Sequence, residues 1–397
     1  MKILIADKLS EHALAALEQA GLVIDFRPDL SADELPCVVS GFNVLVVRST
    51  RVTSDTIAAA DSLSLVVRAG AGVNTIDVAA TSARGIYVTN CPGRNSDSVA
   101  ELAIGLLIAC DRRIADATAE LRSGRWNKKE YSKARGLKGR TLGILGVGAI
   151  GEAVVRRAIG LDMQVIAWSR NLTSERAKTL GVQFAESQIA VARASDAVSI
   201  HLAASPETKH LIDAKFLEAM PDGGIMVNTS RGDVVDTTAL KEAIRSKGLR
   251  VGLDVFEGEP GAGVAEFADA DLAGAVTCTP HIGASTHQAS EAIAAEVVEI
   301  INAFRATGRP RNVVNVCART PATHSLVIRH FNRVGVLAGV LDALREEDIN
   351  VEEMENAIFA GASAACCTLQ LDQAPSPNLI DRLSALDHVL QVHLEPR

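Results

Sequence analysis

Short β-rich runs punctuate the amino end of this chain at regular intervals: Ile3 to Ala6, Val23 to Phe26, Val44 to Val47 and Leu65 to Val67, with helical spacing between them. Strand–helix alternation at this interval predicts a small parallel α/β domain. From Ser98, the apolar positions Val99, Leu102, Ala103, Leu106, Leu107 and Cys110 fall on one helical face, with Asn95 or Ser96 placed to cap it. That helix is expected to join the first domain to a second. The alternation recurs from Arg140 to Ile282. A long helical pattern then runs from about Ser285 to Thr307 through Ile293, Val297, Val298, Ile301 and Phe304. It is expected to cross back and pack on the first domain. That domain would be discontinuous, 1–95 with 283–312, around a second domain at 96–282.

Gly308-Arg309-Pro310-Arg311 is a turn-rich break. Beyond it, Ser325 to Arg329 reads as a strand, Val336 to Arg345 as a helix and Ala365 to Leu371 as a strand. A helix over Leu379 to Leu386 and a strand over Val389 to His393 follow. This βαββαβ-like order predicts a third, ferredoxin-like domain over 320–397. The expected fold class is therefore α/β, with doubly wound parallel sheets and a small α+β domain at the carboxyl end.

Composition sharpens this picture. A chain of 397 residues is too long for one ordinary domain. A hydrophobic share of 48% with only 3% aromatics predicts aliphatic cores, which suit parallel sheets covered on both faces. A formal net charge of −8 disfavours nucleic acid and anionic membranes as partners. No apolar stretch reaches the roughly 18 residues of a membrane span. The strand pattern at Lys2 argues against a leader peptide. The seven cysteines lack zinc-like spacing and read as reduced thiols of a cytoplasmic protein without a metal site.

The candidate chemistry starts at Thr141 to Leu145, a strand followed by Gly146-Val147-Gly148-Ala149-Ile150-Gly151 opening a helix. Such a turn brings backbone N–H groups and the positive end of a helix to a pyrophosphate. The second strand, Gln164 to Trp168, completes the context of a dinucleotide site. An NAD site normally carries an acid at that strand's tip, to meet the adenosine ribose. Here the tip is Ser169-Arg170, which accommodates a 2′-phosphate that a carboxylate would repel. NAD bound without the acid is the alternative, so the cofactor is NAD or NADP.

Three further segments follow apolar runs read as strands (Gly224 to Val227, Val251 to Leu253, Ala275 to Thr277). They are Asn228 to Gly232, Asp254 to Pro260, and Thr279-Pro280-His281. In a parallel sheet the carboxyl ends of the strands share one rim, so Arg231, Glu259 and His281 are expected to converge beside the cofactor. Arg231 offers a planar fork for a carboxylate. His281 can exchange a proton with a carbonyl or hydroxyl oxygen, and Glu259 would orient its imidazole and stabilise the protonated form. Taken singly, these residues would read as a surface turn, a loop dipeptide and a structural histidine. Their joint placement points to hydride transfer between a nicotinamide and a small 2-oxo acid.

At these residues the chain resembles the D-isomer-specific 2-hydroxyacid dehydrogenases. The likeness extends to Arg68-Ala69-Gly70-Ala71-Gly72-Val73, Asn90-Cys91-Pro92-Gly93, Ser98-Val99-Ala100-Glu101 and Leu137 to Gly143. The resemblance implies that Arg231, Glu259 and His281 are the substrate-binding and acid–base residues. It further implies that Asp254 binds the nicotinamide carboxamide and that His201 and Thr229 touch the cofactor. Gly72, Val73 and Asn95 would contact substrate. Arg48, Arg51 and Arg68 lie where members acting on 3-phosphoglycerate place cations for its phosphate. The chain departs from the family pattern at Asn74-Thr75, where Asp-Asn is common, and at Ser169.

The carboxyl-terminal segment resembles the small ligand-binding ACT domain over His330 to Leu337 and Ile349-Asn350-Val351, with Val334 in place of a usual proline. That likeness implies an L-serine effector held by His330, Asn332 and Asn350, with the intervening helix folding back to bring the two asparagines together. The expected reaction is oxidation of 3-phospho-D-glycerate at its 2-hydroxyl, at the start of serine formation. The alternatives are an NADPH-dependent glyoxylate or hydroxypyruvate reductase, favoured by Ser169-Arg170, and a non-enzymatic dinucleotide-sensing corepressor. A homodimer or homotetramer is expected, with the helix from Ser98 as a candidate surface.

Overall fold

The computed structural model describes residues 1–260 and 264–397. Contacts divide the chain into two compact units, Met1–Asn315 and Val316–Arg397.

The first unit holds two parallel sheets. One comprises β1 (Lys2–Ile5), β2 (Val23–Phe26), β3 (Val44–Val47), β4 (Leu65–Arg68) and β5 (Tyr87–Thr89), in the order β2-β1-β3-β4-β5. Helix α1 (Ser96–Arg112) leads out of it. The other comprises β6 (Thr141–Leu145), β7 (Gln164–Trp168), β8 (Gln183–Phe184), β9 (Ala197–Ile200), β10 (Ile225–Asn228), β11 (Arg250–Leu253) and β12 (Thr277–Cys278). Its order, β12-β11-β10-β9-β6-β7-β8, is that of a doubly wound dinucleotide fold, reversing between β6 and β9. Helix α2 (Ala149–Gly160) follows β6 and α3 (Thr237–Lys247) follows β10.

Burial explains the aliphatic composition. Every residue of β3, β9 and β10 is buried, as strands covered on both faces require. Helix α4 (His287–Thr307) seats Ile293, Val297, Ile300 and Ile301 against Ile3, Ile5, Val44, Val46, Leu65 and Val67 of the first sheet. Each such side chain contributes about 1.5–3 kcal/mol by leaving water. Ala103, Leu106, Leu107 and Cys110 of α1 pack with Leu142, Ile144 and Val227 of the second sheet. The two crossings are tied at their starts, where Ser98 and Thr286 share a hydroxyl–hydroxyl hydrogen bond of 2.7 Å.

Two local expectations are corrected. The apolar run at Ala275 to Thr277 is not a strand from its first residue. Asp269 caps a short helix, Ala270–Ala275, and β12 begins at Thr277. Asn95 occupies the N-cap of α1 but makes no side-chain capping bond, and its buried Oδ1 has no partner.

The second unit is an antiparallel sheet of β13 (His324–Phe331), β14 (Val351–Ile358), β15 (Ala364–Leu371) and β16 (Val389–Pro396), in the order β14-β15-β13-β16. Helices α5 (Val336–Glu346) and α6 (Pro377–Ser384) cover one face, packing Val340, Leu344, Leu379 and Leu383 on Leu326, Ile328, Cys367 and Leu369. Strand β14 has no apolar alternation to announce it. Its sequence, Val-Glu-Glu-Met-Glu-Asn-Ala-Ile, lies on an exposed edge, where charges discourage pairing with another chain.

The proposed serine trio does not converge. Asn332 follows the end of β13, whereas Asn350 precedes β14 beside the start of β13, since Val351 and His324 both pair with Leu371. At about 3.4 Å per residue the two asparagines stand roughly 25–30 Å apart. The cause is topological: α5 runs antiparallel to β13 and delivers Asn350 to the wrong end. Each residue is also engaged locally. His330 is buried with Nδ1 2.8 Å from the Phe331 carbonyl, Asn332 donates to the Ala362 carbonyl, and Asn350 donates to Glu352.

Candidate active site

The cofactor cradle is set by steric facts. Gly146 has φ +95, and a Cβ there would lie 2.4 Å from the His201 carbonyl oxygen; at Gly151 it would lie 2.1 Å from the Gly146 carbonyl. These positions exclude side chains, so the β6 turn closes tightly against α2. Gly148, the N-cap of α2, offers no side-chain acceptor, leaving the amides of Ala149, Ile150 and Gly151 directed outward. Two buried polar atoms at the same rim lack partners, His201 Nδ1 and Thr229 Oγ1. The other ring nitrogen of His201 meets Ser199 Oγ at 2.8 Å, and burial pushes this imidazole down to about 4, keeping it neutral. A dinucleotide fits these residues: its phosphates match the amides, and its ribose hydroxyls match the unpaired polar atoms. Ser169, just after β7, is half-buried, and Arg170 beside it is exposed.

The loops after β10, β11 and β12 bring the chemical residues together. Asn228, buried at the end of β10, accepts from Ser230 N (3.0 Å) and Ser230 Oγ (2.7 Å), and its amide donates to the Arg231 carbonyl at 2.9 Å. This local clamp presents the Arg231 side chain. Burial lowers the Arg231 guanidinium from its usual value, and the charge of Glu259 opposes that shift.

His281 Nδ1 is 2.5 Å from Glu259 Oε1, which leaves Nε2 as the free ring nitrogen. Burial pushes the Glu259 carboxyl up. Its bond to His281, the charge of that ring and the Phe256 amide outweigh burial, and the net shift is downward. His281 sits at φ +52, in the left-handed region that costs a non-glycine residue energy. Its amide, bonded to the Asp254 and Thr279 carbonyls, holds it there.

Asp254 is tied into the loop that carries His281. Its buried carboxylate accepts from Thr279 Oγ1 (2.6 Å), Ile282 N (2.8 Å) and Gly283 N (2.8 Å). Three of its roughly four acceptor sites are thus spent on the loop that carries His281. It is first an anchor of that loop, and only one lone pair remains for a nicotinamide amide.

The first sheet supplies the opposite wall. A Cβ on Gly72 would lie 2.5 Å from Arg231 Nη2 and 3.0 Å from Asn74 Oδ1, so the Gly72-Val73 turn faces Arg231. Arg68, on β4, folds over Gly70, and burial together with repulsion from Arg231 and Arg48 pushes its guanidinium down to about 10. Two cations of this wall, Arg48 and Arg68, therefore stand near Arg231. Arg51, on the same loop as Arg48, is exposed.

Two positioning residues were not singled out from the sequence. Asp7, just past β1, accepts from the amides of Arg48 (2.7 Å), Ser49 (3.1 Å) and Thr50 (3.0 Å), fixing the Arg48 loop. Asn90 donates to the Ala71 carbonyl at 2.6 Å and fixes the Gly70–Gly72 turn. An acid immediately after a strand was the only sequence cue for Asp7.

Comparison with known proteins agrees with this geometry. Residues 104–283 match the D-isomer specific 2-hydroxyacid dehydrogenase, NAD binding domain. The chain is 38% identical over 318 residues to D-3-phosphoglycerate dehydrogenase of Methanocaldococcus jannaschii, covering 80% of this chain and 60% of that one. It thus spans about 60% of the length of the curated phosphoglycerate dehydrogenases it matches. A 3-phosphoglycerate dehydrogenase structure from Entamoeba histolytica, bound to NAD+, superposes with a TM-score of 0.66 at 26% identity, covering 80% of this chain and 99% of that one. Hydroxypyruvate reductase of Thermotoga maritima is 41% identical over 302 residues, covering 76% of this chain and 97% of the relative. A match at that identity over nearly the whole of a relative means that the chain belongs to the D-isomer-specific 2-hydroxyacid dehydrogenase family.

Proposed function

We propose that this chain is an NAD(P)-dependent dehydrogenase that interconverts 3-phospho-D-glycerate and its 2-oxo counterpart. The observation that carries this reading is the approach of Arg48 and Arg68, from the first sheet, to Arg231, which stands beside Glu259. Repulsion among these cations exceeds the attraction of nearby Asp7 at Arg68. Such a group gains most from a substrate bearing two anions, a carboxylate and a phosphate. Arg231 and the Gly72-Val73 amides take the carboxylate. Arg68 and Arg48 take the phosphate.

A nicotinamide dinucleotide held by the Gly146–Gly151 turn would supply the hydride acceptor. In the oxidative direction His281 accepts the 2-hydroxyl proton at Nε2, and Glu259 compensates the positive imidazolium through Nδ1. In reduction the same proton returns to the carbonyl oxygen. Substituting Arg68→Met tests the phosphate assignment. Catalytic efficiency with phosphoglycerate should fall roughly 10–150-fold, the worth of one charge-assisted hydrogen bond. Efficiency with unphosphorylated hydroxypyruvate should stay within about threefold. Equal losses with both substrates would refute a phosphate site at Arg68.

A second reading, a glyoxylate or hydroxypyruvate reductase using NADPH, is favoured by Ser169-Arg170 at the tip of β7. Steady-state rates with phosphoglycerate, hydroxypyruvate and glyoxylate separate the two. Whichever substrate prevails, NADP should be accepted at least as well as NAD, and Ser169→Asp should swing preference to NAD by repelling the 2′-phosphate. A parent enzyme preferring NAD by about tenfold or more would remove Arg170 as a phosphate ligand.

A further inference from the structure

A second histidine–glutamate pair lies one turn away from the first. His210 Nε2 is 2.7 Å from Glu257 Oε1, in the loop between β9 and β10 and the turn after β11. His210 sits at φ +51, so its backbone too is held in the left-handed region. Two contacts account for that. Its own amide donates 2.8 Å to the Asp233 carbonyl, in the 3-10 turn Gly232–Val234 that directly follows Arg231. Its ring reaches Glu257, two residues before Glu259.

The two loops that His210 bonds also press on each other. A Cβ on Gly232 would fall 2.0 Å from the Phe256 carbonyl carbon and 2.3 Å from the Glu257 nitrogen, so these backbones are already in contact. Phe256 stacks edge-on against Phe267 with ring centroids 4.7 Å apart, and its amide donates 3.3 Å to Glu259 Oε2. One residue therefore grips both the loop that presents Arg231 and the turn that presents Glu259.

We propose that His210 is a positioning residue that, through Glu257, sets the spacing between the Arg231 guanidinium and the Glu259–His281 pair. The proposal rests on the assignment of those three residues to catalysis. Without the grip, the Val255–Glu259 turn separates from Gly232 and the two halves of the site lose register. Misplacement of this kind, about 1 Å, is costly to near-attack geometry without removing any reacting group.

The test compares His210→Ala, His210→Gln and Glu257→Leu with the parent. In the free protein, amide exchange over Gly232–Val235 and Phe256–Glu259 should accelerate by about tenfold in His210→Ala, whereas β10 and β11 keep their protection. His210→Gln, whose amide can still donate to Glu257, should restore slow exchange. In steady state His210→Ala should raise KM for the 2-oxo acid and lower kcat, each by roughly three- to tenfold, with cofactor affinity unchanged. Parent-like exchange and kinetic constants within about twofold in His210→Ala would overturn the proposal. If His210→Ala loses its cooperative melt, Glu257→Leu, which cannot accept from His210, carries the same comparison. A parent protein inactive on every 2-hydroxy acid, yet showing the exchange effect, would refute the proposed reaction and leave the positioning role standing.

Discussion

Replacing His281 with alanine should lower turnover by about 10²–10⁴-fold, the usual worth of a positioned acid–base group. Cofactor affinity should change little, since the phosphate cradle at Gly146–Gly151 lies on another loop. The imidazole is 46% exposed, so its removal leaves no core cavity and the melting temperature should barely move. His281 holds φ +52, which asparagine tolerates better than alanine. His281→Asn therefore separates loss of the proton carrier from backbone strain, and it should be about as inactive as alanine. Near-parent turnover in both variants would remove His281 from the chemistry.

Arg231→Lys should cost roughly 10–150-fold in catalytic efficiency, because one charge-assisted hydrogen bond of about 1.5–3 kcal/mol is lost with the fork. The positive charge survives, so simple electrostatic attraction would predict almost no change. The geometry decides between the two. Arg231 is largely buried, clamped at its base by Asn228 and faced by Gly72, which suits a bidentate hold on a carboxylate. Efficiency within about twofold of the parent would reduce Arg231 to a diffuse charge.

The most legible features were those dictated by short-range chemistry. Gly146 and Gly151 announce their turn because no side chain fits there, and the uninterrupted Val44 to Val47 run can only be a strand buried on both faces. The periodicity of Ile293, Val297 and Ile301 marked a helix face in need of a sheet to cover, and α4 finds one in β1, β3 and β4. The convergence of Glu259 and His281 followed from one rule about strand ends. Less visible were features whose partners lie far away in sequence. Strand β14 carries glutamates where apolar residues would be expected, because it is an exposed edge paired only with β15.

Local chemistry thus specified the buried parallel strands, the tight glycine turn after β6, and which loops carry Arg231, Glu259 and His281. Only the tertiary structure decided what those side chains bond. Residue type gave no sign that the Asp254 carboxylate accepts from Thr279, Ile282 and Gly283, which it does because the loop after β12 folds over it. Asp7 was invisible as an anchor until β1 and β3 paired and brought the Arg48 amide within 2.7 Å of it. Asn332 and Asn350, drawn together by a pattern of residue types, were parted by the register of an antiparallel sheet. In each case the deciding term is a hydrogen bond across many residues, and burial compels such a bond to form without residue type naming its partner.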